Sequence, residues 1–114
     1  MSLSLSLQLS AMWRIKPEFF EFGKQVRDAA NAIAMKQPVG VLSLASQIEA
    51  MRAIDSRLAE FGTQVRDALN AKIGAPSRKL ASLGLSQQIE AMRQIDPKAG
   101  EFGRQIVDFI NRIP

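Results

Sequence analysis

Residues 42–73 read LSLASQIEAMRAIDSRLAEFGTQVRDALNAKI, and this stretch decides the fold because its pattern occurs three times in the chain. Glu60-Phe61-Gly62 aligns with Glu21-Phe22-Gly23 at an offset of 39 and with Glu101-Phe102-Gly103 at an offset of 41. Twelve positions are then identical in all three copies: Leu42, Leu44, Gln47, Ala50, Met51, Ile54, Glu60, Phe61, Gly62, Gln64, Asp67 and Asn70 in the middle one. Agreement on that scale marks a tandem triplication. The copies run 3–34, 42–73 and 83–114, parted by Gln37-Pro38-Val39-Gly40 and Gly74-Ala75-Pro76-Ser77, within a single domain over 1–114.

Within a copy, the spacing predicts two helices. Leu44, Ile48, Met51 and Ile54 advance by four, three and three, and Leu58, Phe61, Val65, Leu69 and Lys72 form a second stripe at helical period. Between the stripes stands Lys16-Pro17, Asp55-Ser56 or Asp96-Pro97, where an Asp oxygen accepts from new helical amides and Pro suits the first helical position. Each copy therefore reads as a helix-turn-helix hairpin. The fold class is all-α, with about six helices in an open repeat array or a compact bundle. Residues 2–10 alternate Ser and Leu as a half-buried strand would. The repeat puts Leu3, Leu5, Leu9 and Met12 in the places of Leu42, Leu44, Ile48 and Met51, so helix is expected there and an edge strand is the alternative.

What the chain lacks narrows its chemistry. Across 114 residues there is no His, Cys or Tyr. Thiol and imidazole metal ligands, disulfides and every Ser-His or Cys-His catalytic arrangement are excluded together. The isolated glycines form no phosphate-binding loop, and the carboxylates sit among as many basic residues, so no enzyme, no cofactor and no metal is expected. The net charge of +4 is thinly spread: stretches 41–73 and 83–113 each carry four groups of either sign. No uncharged run reaches a membrane span, and a cytoplasmic location is the expectation.

Three features stand as candidate partner contacts. Glu60, Gln64 and Asp67 share one side of the second helix with Asn70, as do Glu21, Gln25 and Asp28 with Asn31, and Glu101, Gln105 and Asp108 with Asn111. Such a stripe reads as a ladder between copies with Asn as a stop signal, as a recognition surface, or as three carboxylates converging on Ca²⁺ or Mg²⁺. Trp13 and Phe20 stand where the middle copy has Arg52 and Ala59, and Val107 and Phe109 replace Arg66 and Ala68, so the outer copies are greasier than the inner one. Those residues either close a bundle or meet another chain. The repeated helix-interior Gly23, Gly62 and Gly103, each costing about 1 kcal/mol relative to Ala, imply a close crossing by the first helix, with a hinge or a partner's approach site as the functional alternative.

The segment Gln64 to Gly74 resembles the second helix of a HEAT repeat, and the run from Gln88 to Gln105 resembles helical tail segments of bacterial signalling kinases. The expected function is a non-enzymatic protein-protein interaction or self-assembly module, an adaptor or scaffold with a protein partner or a second copy. The alternatives are a nucleic-acid or anionic-surface binder using Arg14, Lys16, Lys24, Arg27, Lys36, Arg78 and Lys79, and an engineered scaffold without natural ligand.

Overall fold

A computed structural model describes residues 3–75 and 81–114. Among them the chain forms α1 (Ser6–Ile15), α2 (Pro17–Ala34), α3 (Ala45–Ile54), α4 (Ser56–Gly74), α5 (Ser86–Ile95) and α6 (Pro97–Arg112), with no strand. The all-α hairpin reading holds. None of these helices is long and apolar enough to cross a membrane.

A single extended residue makes each hairpin turn: Lys16, Asp55 or Asp96. Asp55 accepts from the Arg57 amide and Asp96 from the Lys98 amide, both at 2.8 Å, so two of the second helices carry the expected N-cap. Lys16 makes no side-chain cap, and α2 relies on Pro17 at its start.

The start of each copy differs from expectation. Residues 6–10 belong to α1, as the helix expectation for that stretch has it, but 3–5 are neither helix nor strand, and Leu44 precedes α3 instead of beginning it. Leu5, Leu44 and Leu85 are N-cap residues in the left-handed region, with φ of 56°, 56° and 59°. Their carbonyls accept the first helical bonds from Leu9, Ile48 and Ile89 at 2.8–2.9 Å. Leucine costs about 1–3 kcal/mol there, and burying the side chain returns a similar amount. The repeat fooled the periodicity because the same leucines point inward from a cap as they would from a helix.

Each first helix lies over two second helices. It packs on its own partner and on a second helix of another copy: α3 on α4 and α2, α5 on α6 and α4, and α1 on α2 and α6. The contact between α1 and α6 closes the ring, so the array has no open ends. Principal extents of 36 × 23 × 23 Å, with two equal short axes, fit a threefold arrangement about the long one. Val107 is buried within the monomer, beside a pocket lined by Leu83, Gly84 and Ile89 of its own hairpin.

Along the axis, Phe22, Phe61 and Phe102 are fully buried, with edge-on ring contacts at 6.3 and 6.4 Å. These residues lie near the starts of α2, α4 and α6, while the ends of the same helices border one cavity, so the three central helices run parallel. The repeated glycines leave room for the outer helices. A Cβ at Gly62 would stand 3.2 Å from Ile48 Cγ1 and Met51 Cε, and one at Gly23 would stand 2.6 Å from Leu9 Cδ2. The close crossing is there, filled by side chains of the first helix rather than by its backbone.

Candidate functional site

Of the four-residue polar stripe, Asn has a definite task in every copy. The Asn70 carboxamide accepts from the Leu42 amide at 2.8 Å and donates to the Leu42 carbonyl at 2.9 Å. Asn31 grips Leu3 and Asn111 grips Leu83 in the same two-way manner. A side-chain amide thus serves both backbone groups of a residue that has no ladder partner. It is a clamp on the strained entry to each hairpin, not the helix stop signal expected.

The remaining stripe residues are mostly solvent-facing. Asp28 pairs with Arg27 at 2.9 Å and Asp67 with Arg66 at 3.1 Å. The same arginines donate to the carbonyls of Ser4 and Ser43, tying the entry segment a second time. Val107 removes that tie in the third copy, where Asp108 lies 3.8 Å from Arg104. Glu60 accepts from Gln88 at 3.2 Å, a contact between copies two and three that fits the ladder reading. Glu21, Gln25, Gln64 and Glu101 are exposed, and Gln105 is half-buried. The acidic groups do not converge: among the described residues no three form a set able to hold a metal ion.

Trp13 and Phe20 come together. Their rings meet edge to face with centroids 5.3 Å apart, and Trp13 remains 53% exposed. The equivalent corner of the other copies is built otherwise. Arg52 and Arg93 replace Trp13 and form ion pairs with Glu49 and Glu90, where the first copy has Ser10. Ala59 and Gly100 replace Phe20, and the turn residue is Asp instead of Lys16.

At the middle turn, hydrogen bonds from the Arg57 side chain and then from its backbone amide hold the Asp55 carboxyl below its ordinary value. The same pairing raises the Arg57 guanidinium further.

The basic residues of the nucleic-acid alternative are dispersed. Arg14 is in the last turn of α1, Lys16 is the turn residue after it and Lys24 lies inside α2, Arg27 is engaged as described, and Lys36 follows the end of α2 beside a cavity at that pole. Arg78 and Lys79 lie outside the described residues. One residue escaped sequence reasoning as a site: Lys72 is buried at the end of α4 and donates to the Pro114 carbonyl at 3.0 Å. The signal was a lysine in an apolar stripe at the position Ile33 and Ile113 fill in the other copies.

No family model, curated protein or solved structure matches the chain.

Proposed function

We propose that the chain is a non-enzymatic, cytoplasmic protein-binding module whose contact centre is the Trp13–Phe20 corner. One observation carries the reading. A nearly threefold scaffold presents an ordinary arginine-glutamate surface pair at two equivalent corners and a half-exposed aromatic pair at the third. Surface ion pairs contribute little to stability, about 0–1 kcal/mol, so replacing one by aromatics alters what the surface can bind more than it alters the fold. Tryptophan at such a site offers a large, rigid contact area of the kind that dominates protein interfaces. Lys16 lies three residues beyond Trp13, and Lys24 follows Phe20 by one helical turn, giving the apolar patch a polar rim.

Trp13 is the sole tryptophan, so its emission reports on this corner alone. Light scattering and Trp13 emission measured over a concentration series test the second copy as partner. Self-assembly predicts rising mass with a blue shift, both lost in Phe20→Ser. Constant monomer mass with unshifted emission excludes self-assembly, and the same emission then reads titrations with peptides. An emission unmoved by a broad peptide set would overturn the corner as a contact centre.

A further inference from the structure

Arg27 and Arg66 do the same work in the first two copies. Each guanidinium donates to a backbone carbonyl of the entry segment, Arg27 to Ser4 at 3.0 Å and Arg66 to Ser43 at 3.2 Å. Each also donates from Nε to the carboxylate of the next residue, Asp28 or Asp67, at 3.1 Å. The third copy keeps both acceptors, the Gly84 carbonyl and Asp108, but Val107 stands in the arginine's place. At that position lies a cleft of about 300 Å³ bordered by Leu83, Gly84, Ile89, Val107 and Asp108 among others. A Cβ built on Gly84 would meet nothing within 4 Å, so the approach to this backbone is open. Among the described residues, side chains hold the third entry segment only through the Asn111 clamp on Leu83. Two arginines border the cleft without replacing the missing one: Arg93 is paired with Glu90, and Arg104 stays 3.8 Å from Asp108, too far for a hydrogen bond. The aliphatic wall of Leu83, Ile89 and Val107 suits the stem of a long cationic side chain.

We propose that this cleft takes the guanidinium of an arginine presented by a partner chain, donating to the Gly84 carbonyl and Asp108 as Arg27 and Arg66 do within their own copies. A planar guanidinium serves two such acceptors at once through donors fixed in direction, which an ammonium lacks. The inference is independent of the aromatic corner. It is tested with n-butylguanidinium and n-butylammonium as probes, by amide-resolved NMR on the whole chain. The Leu85 amide shares a peptide unit with the Gly84 carbonyl and should shift with butylguanidinium, whereas the Leu5 and Leu44 amides, whose sites are filled by Arg27 and Arg66, should not. Butylammonium should bind at least about fivefold more weakly, the worth of one hydrogen bond. Val107→Arg supplies the side chain that the other copies carry and should weaken butylguanidinium at least about tenfold, and Asp108→Asn about fivefold. A Gly-Arg-Gly peptide blocked at both ends should shift Leu85 as butylguanidinium does. No Leu85 shift at millimolar probe, equal shifts at Leu5, Leu44 and Leu85, equal affinity for the two probes, or undiminished binding in both variants would each overturn the proposal. A blocked Gly-Lys-Gly peptide that binds as tightly as the arginine peptide would overturn the assignment to a partner's arginine.

Discussion

The axis of the molecule and its outer corners follow opposite rules. Along the axis all three copies carry Phe and Gly, at Phe22-Gly23, Phe61-Gly62 and Phe102-Gly103. At the corner by the hairpin turn the copies diverge: Trp13 meets Phe20 in the first, whereas Arg52 and Arg93 pair with Glu49 and Glu90 in the other two, which differ in turn at Ala59 and Gly100. Ring closure accounts for the first rule, since each central helix must offer the same shape to two like neighbours. The corner contacts that differ, Trp13 with Phe20, Arg52 with Glu49 and Arg93 with Gly100, lie within one hairpin, so they can vary with little consequence for closure. Sameness therefore reads as packing and difference as opportunity for contact.

The largest effect should come from the axis. Phe61 touches both other axial rings, and Phe61→Ala should cost about 3–5 kcal/mol in urea or thermal unfolding. A loss below 1 kcal/mol would break the comparison. Next comes the entry clamp: Asn70→Ala removes two hydrogen bonds to Leu42 and should destabilise by about 2 kcal/mol, with amide exchange quickening at Leu42 before the rest of the chain. The corner itself is probed by Gly100→Ala. The new Cβ would fall 2.7 Å from Arg93 Cβ and 2.9 Å from its Cα, where backbone must move. Despite a helix-propensity gain, a loss of about 1–2 kcal/mol is expected, exceeding that of Gly62→Ala, whose neighbours are side-chain atoms. The reverse order would show that the third corner is looser than its geometry.

The smallest effect concerns the turn, where copy one has Lys16 and the others Asp. Asp55→Ala removes the α4 cap and should cost about 1 kcal/mol at neutral pH. Because folding lowers the Asp55 pKa, its contribution is present above the ordinary value of 3.8 and fades as pH falls below it. The stability gap between wild type and variant should therefore close in acid. A gap that widens there would contradict the Arg57 pairing.

Much of the scaffold was legible before any coordinates. Spacing revealed six helices, Asp55 and Asp96 as caps, and close crossings at Gly23, Gly62 and Gly103. Leu5, Leu44 and Leu85 misled because a cap in the left-handed region leaves no trace in hydrophobic periodicity. The Asn role was hidden for a related reason: Asn31 and Leu3 are 28 residues apart, and a hydrogen bond of that separation follows from how the two ends of a hairpin meet. Lys72 was visible as an oddity, but its burial depends on three helix ends that belong to three different copies.

The sequence by itself determined the local elements and their triplication, since period, caps and breakers act within a few residues of one another. Whether the hairpins stack openly or close was decided only in three dimensions. Closure depends on α1, near one end of the chain, fitting the groove beside α6, near the other, and no local spacing encodes the shape match between surfaces so far apart.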